Sequence, residues 1–250
     1  MTATTETKQT TEIHHKKEKK ESLLLNILLN IVVPTVILTK LSGDNYLGVK
    51  MGIVVALAFP IGYGIFDFFR VKRINFFSAL GVISILLTGG MSLLEIEAKY
   101  IAVKEAAIPA LFGIATVLSL YTRYPLVKTF LYNDKIIQTN KVNQILDEKG
   151  RSSDFAKCLK TASFMVAGSF FLSSALNYGL AKYILVSSPG TEAFNAELGR
   201  MTALSYPVIA LPAMLILMGT LFYLFNRITR LTELPIEDIF NDPDADHKKQ

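Results

Sequence analysis

Six stretches of this chain are apolar over the length needed to cross a lipid bilayer, and no other feature limits its fold as severely. Their limits are Leu23–Leu41, Leu47–Phe69, Phe76–Leu94, Ala106–Thr122, Thr161–Val186 and Met201–Asn226. A hydrocarbon core of about 30 Å takes about 20 helical residues. A backbone inside it must satisfy its N–H and C=O groups internally, so these runs read as helices. The fourth run is the shortest and gains a turn from Ile101–Glu105. Charge is confined between the runs: 31 of the 47 charged residues fall in residues 1–22, 123–160 and 227–250. A chain that is 51% apolar and 19% charged, with charge placed this way, speaks against a soluble enzyme, a secreted disulfide scaffold or a disordered chain.

The basic residues orient the bundle. With the N-terminus cytoplasmic, 20 Lys and Arg lie inside and six outside, the latter being Lys40, Lys50, Lys99, Lys104, Lys182 and Arg200. The positive-inside rule therefore predicts an all-α, polytopic membrane bundle of six transmembrane helices with both termini cytoplasmic. The same partition explains the pI near 9.1 without a nucleic-acid partner. Residues 1–22, polar and threonine-rich, are expected to be a disordered tail. They resemble the first region of a signal sequence, but the long run that follows, without a clear cleavage site, reads as an uncleaved first helix. Helices 1–4 then occupy 23–122, a cytoplasmic loop 123–160, helices 5 and 6 161–226, and an acidic tail 227–250. In the loop, Lys141–Lys149 suits a short amphipathic helix with Val142, Ile145 and Leu146 on one side and Gly150 as its stop. It serves either as a docking or lipid-surface helix or as a linker packed under the bundle. Asp154–Lys160 leads into the fifth helix. In the acidic tail Pro235–Gln250, Asn241-Asp-Pro and the acids after it argue for disorder, with one amphipathic turn at Thr232–Phe240.

The polar residues within these runs are the candidates for function. Asp67 lies one turn from the inner end of the second run, with Arg70 at i+3 as its natural partner; a proton relay is the alternative. Glu105 opens the fourth helix, where an acid suits the helix dipole. The sharper reading is a cation or proton site in an outward vestibule beside Pro109. Prolines at Pro34, Pro60, Pro109, Pro207 and Pro212 kink their helices, as ordinary membrane helices and broken transporter helices both do. Asn26, Asn30 and Asn177 are expected to bond across helices, and Gly62, Gly64, Gly81, Gly89, Gly90, Gly113 and Gly168 to allow close helix contacts. After the turn Ser188-Pro189-Gly190, Thr191–Met201 suits an interfacial amphipathic helix that holds Glu192, Glu197 and Arg200 at the outer surface.

Several chemistries are unsupported. One cysteine, Cys158, allows no internal disulfide or cysteine metal cluster. His14, His15 and His247 all lie in the tails, which leaves no intramembrane haem or zinc ligand of that type. There is no phosphate-binding, dinucleotide-binding, nucleophile-elbow or zinc-protease motif. The expectation is a protein without enzymatic activity, metal or cofactor.

The runs LLNIVVPTVILTKLSG, ALAFPIGYGIFDFFRVKRINFFSALGVISILLTGG, KEAAIPALFGIATVLSL and GTEAFNAELGRMTALSYPVIALP resemble a family of uncharacterised bacterial six-helix membrane proteins, often labelled major-facilitator-type transporters. The resemblance spans residues 23–233. More distantly the chain resembles the intracellular septation protein A family. That family has an aromatic-rich start to the third helix, a glycine-glycine turn and a lysine-proline start to the fourth. Phe76, Phe77, Gly89, Gly90, Lys104 and Pro109 would play those parts, with Glu105–Ile108 intervening between the last two. The resemblance implies a bacterial inner-membrane protein of envelope maintenance and division, acting through membrane or division proteins or lipids, with no catalytic residues. The alternative is a small-solute or ion transporter built on Asp67, Glu105 and the proline kinks. Six helices are half of a major-facilitator protein, so that alternative asks for a homo-oligomer or an inverted repeat of three plus three helices. A polar, water-accessible cavity among the helices is the feature that separates the two readings.

Overall fold

The computed structural model describes residues 27–71, 76–123, 125–134 and 137–240, and the side chains of 67–82 lie outside the description. The described residues are helical and form no strand. α1 (Leu28–Lys40) opens with a π-helical turn, Leu28–Val32, and is α-helical from Val33. α2 (Gly48–Val71), α3 (Phe76–Leu93) and α4 (Ala98–Ser119) follow, then the short α5 (Leu126–Leu131) and α6 (Thr139–Glu148). α7 (Ser152–Ile184) and α8 (Glu192–Thr232) complete the bundle.

Four of these helices are long and apolar enough to cross a membrane: Gly48–Phe66, Ala98–Ser119, Ser152–Ile184 and Glu192–Thr232. The apolar helices Leu28–Lys40 and Ile83–Leu93 are shorter. Exposed apolar side chains, such as Phe59 and Phe66 on α2, Leu111 and Leu118 on α4, and Leu215 and Phe222 on α8, form a belt around the bundle. At most 22% of the most apolar stretch of each of these four helices is buried within the protein, which fits helices that meet a surrounding apolar phase.

The longest helix overturns one expectation. Thr191–Met201 and Met201–Asn226 are not an interfacial helix followed by a span; they belong to one helix of 41 residues, roughly 60 Å long at 1.5 Å per residue. Thr191 caps it, its hydroxyl accepting from the Phe194 N–H at 3.2 Å. Pro207 cannot give an N–H to the carbonyl four residues back. A π-helical turn at Tyr206–Ala210 absorbs the defect, with the Leu211 N–H bonded to the Tyr206 carbonyl, so the helix continues. α7 likewise begins at Ser152, taking in the expected lead-in, and α4 begins at Ala98 rather than at Glu105 or Ala106.

The loops 41–47, 94–97 and 185–191 meet at one end of the bundle, here the upper end. Asn195 Nδ2 donates to the Val49 carbonyl (2.8 Å), and Lys50 lies 3.6 Å from Glu95. Beneath them is a core of Ile37 and Leu38 (α1), Ile53 and Ala56 (α2), Ile101 (α4), Ile184 (α7), and Phe194 and Leu198 (α8). α1 packs closely on α8 because Gly199 has no side chain. A Cβ there would sit 2.9 Å from Thr39 Cγ2 and 3.1 Å from the Thr35 carbonyl. Gly89 and Gly90 are interior residues of α3, not a turn, and Gly89 abuts Leu57. Gly113 abuts Phe171, whereas nothing lies close to Gly62, Gly90 or Gly168. Asn177 donates to the Ser173 carbonyl of its own helix (2.8 Å) rather than across helices.

The lower end is a folded cap. Val142 and Leu146 of α6 are buried with Tyr132, Ile137, Phe155, Cys158, Leu224, Ile228 and Ile239. Gly150 ends this stretch with φ +65°, a conformation that suits a residue without Cβ. The segment after α8 is docked here rather than extended away. Residues Ile236–Asp238 form a 3-10 turn, Ile137 pairs with Phe240, and Gln138 takes up the Ile239 and Phe240 carbonyls at 2.9 Å each. The turn expected within Thr232–Phe240 is present, docked on the cap; the expected disorder of residues 1–22 and 241–250 falls outside the described residues.

Candidate functional site

A cavity of about 230 Å³ lies below the upper core, between α1, α2, α3 and the upper half of α8, with Glu105 reaching it from α4. Its apolar walls include Leu38, Ile53, Leu57, Ile85, Leu198 and Met201. Its polar lining comes from Asn30, Ser84, Thr88, Ser92, Thr202, Ser205 and Glu105. Pro34 and Pro60 also line it, and neither can supply an N–H to the carbonyl one turn back. The two π-helical turns, Leu28–Val32 and Tyr206–Ala210, lie on the helices that border it.

Glu105 is the eighth residue of α4, about 10 Å along the helix from Ala98. It does not open the helix, so the dipole explanation of its presence fails. Its partner is Lys104, whose Nζ is 2.6 Å from Glu105 Oε1. Adjacent residues on a helix point about 100° apart and do not normally face each other. Here both bend toward α3. Lys104 Nζ donates to the Ser84 carbonyl and to Ser84 Oγ at 3.2 Å, and to Thr88 Oγ1. Thr88 Oγ1 lies 3.1 Å from Glu105 Oε1. The pair is mostly shielded, with side-chain exposures of 12% and 21%. The hydroxyls of the facing helix thus clip α4 to α3, and each charge keeps bonded partners in a poorly solvated place.

The two charges are unequally placed. Lys104 donates to four oxygens and does not line the cavity. Glu105 does line it. Its Oε1 takes the bonds from Lys104 and Thr88, and Oε2 bonds to no described residue and is not sealed off. Three hydroxyls of the lining add to this. Ser92 donates to the Thr88 carbonyl (2.8 Å), Thr202 to the Leu198 carbonyl (2.9 Å) and Ser205 to the Met201 carbonyl (2.8 Å). Each hydroxyl proton is spent inside its own helix, which leaves the oxygen lone pairs for the cavity.

The other candidate residues separate from this site. Pro109 stands one turn below Glu105 and withdraws the N–H that would bond the Glu105 carbonyl; Ser174 of α7 donates to the neighbouring Ala106 carbonyl at 2.8 Å. Pro109 does not line the cavity. Glu197 is a clasp: Oε2 accepts from the Val186 and Ser187 N–H groups at 2.9 Å each, and Oε1 accepts from the Ser187 hydroxyl at 2.6 Å. It ties the α7–α8 connection to α8. Glu192 lies in the first turn of α8, exposed, with its carboxylate against Gly43. Arg200 is exposed and forms no ion pair among the described residues. Asp67 and Arg70 fall in α2, but their side chains, and so their pairing, lie outside the description. Among the described residues no cluster of His, Cys, Asp or Glu is arranged to hold a metal.

Two features were not singled out from the sequence. Ser84, Thr88 and Ser92 form an i, i+4, i+8 stripe on one face of α3, a pattern that is readable in advance. Asn195 is fully buried, and its Oδ1 has no donor among the described residues; nothing in the composition of its segment marks it as interior. At the lower end, Glu233 is held below the usual carboxylate range by Lys149 at 2.6 Å and Arg151 at 3.0 Å. Burial pushes the Tyr132 phenol up, while its hydroxyl donates to Asn143 Oδ1 at 2.9 Å. No family model, curated protein or solved structure matches this chain.

Proposed function

We propose that this is a six-span protein of the bacterial inner membrane with both termini cytoplasmic, and that its upper cavity binds a small solute for transport. The orientation rests on the distribution of Lys and Arg, which makes the lower cap cytoplasmic and the cavity a site on the outer side of the midplane. The observation that carries the functional reading is the cavity itself. It joins an intramembrane carboxylate, an acceptor-rich wall and helices weakened by proline and π-turns, the combination from which transporters build midplane sites. Structure of this kind serves solute binding better than protein–protein contact, because its polar groups are gathered between helices rather than spread over an outer face.

The test is a thermal-stability screen of the purified protein against small solutes of each charge type, with a reporter fused after Gln250 for topology. A solute that binds only the folded protein stabilises it by about 2.7 kcal/mol at a hundred times its Kd. A stabilising solute whose effect is lost in Glu105→Gln supports the reading. Silence across all charge types, or a reporter outside the cytoplasm, contradicts it.

A second reading is favoured by the folded cap. An envelope or division role exerted through protein contacts, as the resemblance to septation protein A implies, would use this cytoplasmic module as its docking surface. Loss of a division phenotype in cap variants that leave the cavity intact is its signature.

A further inference from the structure

We infer that the solute of this cavity is a small organic cation: a protonated amine with a short apolar body. The inference rests on the reading of the cavity as a solute site and names the chemistry it selects.

The polar wall is one-sided. Ser92, Thr202 and Ser205 each direct their proton to a carbonyl of their own helix, so they offer oxygen acceptors. Lys104, the nearest cation, has its donors turned onto Ser84, Thr88 and Glu105 and does not line the cavity. Glu105 does, with Oε2 unbonded among the described residues. A guest therefore meets mainly a carboxylate oxygen and hydroxyl oxygens; Asn30 and Ser84, whose hydroxyl accepts from Lys104 and donates to no described residue, are the side chains of mixed character. An anion would face this wall without a cationic partner, and burying an unpaired charge is costly. An ammonium group would find a carboxylate and several acceptors, the pairing that makes charge-assisted hydrogen bonds strong.

The remaining surface decides between an inorganic ion and an organic one. Hard metal cations take about six or more oxygen ligands in a closed shell. This cavity has a single carboxylate and long walls of Leu38, Ile53, Leu57, Ile85, Leu198 and Met201, which suit alkyl groups. Its 230 Å³ falls below the roughly 300–1,000 Å³ of pockets for drug-sized ligands, so the guest is small.

Three four-carbon probes that differ in their head group test the assignment: butylammonium chloride, 1-butanol and sodium butyrate. Each is titrated into the purified full-length protein at constant ionic strength, with binding read by calorimetry and thermal shift. Butylammonium is expected to bind, and the other two to bind at least about tenfold more weakly. Glu105→Gln should weaken butylammonium by about ten- to a hundredfold, the range of one hydrogen bond to a charged group. Because Glu105→Gln also removes a partner of Lys104, Thr202→Val serves as a second variant that leaves the ion pair whole. It should weaken butylammonium severalfold and leave 1-butanol unchanged. Equal binding of butanol or butyrate overturns the cation assignment while leaving a solute site in place. Unchanged butylammonium affinity in both variants also overturns it. If none of the three binds, the cation assignment falls, and binding of an unrelated neutral or acidic solute in the wider screen then shows whether the solute-site reading survives.

Discussion

The two ends of the bundle use the same local device and then diverge. Each carries a glutamate in the left-handed conformation just after a helix, Glu95 (φ 56°) after α3 and Glu233 (φ 64°) after α8. Each glutamate reaches a cation on a neighbouring segment: Lys50 at 3.6 Å for Glu95, Lys149 and Arg151 for Glu233. Most of these groups are substantially exposed, so the pairs contribute little to stability. The difference lies underneath. Below Glu233 is a dry core drawn from five segments, with rings of Tyr132 and Phe155 at 4.8 Å and of Phe225 and Phe240 at 4.9 Å. Below Glu95 and the upper core the packing opens into a cavity with the carboxylate of a shielded ion pair on its wall. The lower end is organised for rigidity, whereas the upper end tolerates polar groups and empty space that stability alone would not select.

The largest effect expected from that contrast is at Lys104. Lys104→Met leaves Glu105 without its charged partner in a poorly solvated place and should cost about 3–5 kcal/mol in unfolding measurements. Lys104→Met with Glu105→Met should recover most of this, since two apolar chains replace a desolvated pair. A small cost for Lys104→Met would make the upper site wetter and softer than its geometry indicates. Next is the cap: Leu146→Ala, at 1% exposure, should cost about 2–4 kcal/mol and increase hydrogen exchange in residues 137–149 before the upper helices respond. Simultaneous loss of protection at both ends would dissolve the distinction between them.

How far the sequence foretells this depends on whether the signal is local. The apolar runs are local, and the helices stand where those runs are. The cap is not local. Val142 and Leu146 are legible as the apolar side of a short helix, but Ile137 and Ile239 are unremarkable in their own segments, and all four become one core only because α7 and α8 continue past the apolar belt and meet there. The polar run before Met201 looks like a boundary and Pro207 like a kink, but the helix runs through both, with a π-turn at Tyr206–Ala210. Glu105 is conspicuous as an acid beside an apolar run. Its surroundings follow from tertiary approach: only when α3 faces α4 do Ser84 and Thr88 take up Lys104 and leave Glu105 turned to the cavity.

Smaller effects sharpen the comparison. Glycine at either left-handed position relieves backbone strain and loses a weak exposed pair, so Glu95→Gly and Glu233→Gly should each leave stability in unfolding measurements nearly unchanged. A larger loss at Glu233 alone would mean that its two cations act as a true clamp. The pH dependence of that clamp has a definite sign. The folded-state pKa of Glu233 is depressed, so its contribution is present above the ordinary value of 4.5 and is lost as pH falls through the lowered folded value. Hydrogen exchange in the cap should therefore respond to Glu233 only in acid below that range, and Glu233→Gln should lack that component. A response near neutral pH would point to another group.

The central claim is that water and solute reach a cavity among the upper helices. Cysteine substitution tests it directly, because the single native thiol, Cys158, is buried and can be replaced by serine. In that background Thr202→Cys faces the cavity, and Leu215→Cys, at an exposed position on α8, lies in the apolar belt. A small, charged, membrane-impermeant thiol reagent applied to intact membranes should modify Thr202→Cys and leave Leu215→Cys unmodified. If both positions remain unmodified, the cavity is closed to water and the account of this protein as a solute-binding membrane protein is contradicted.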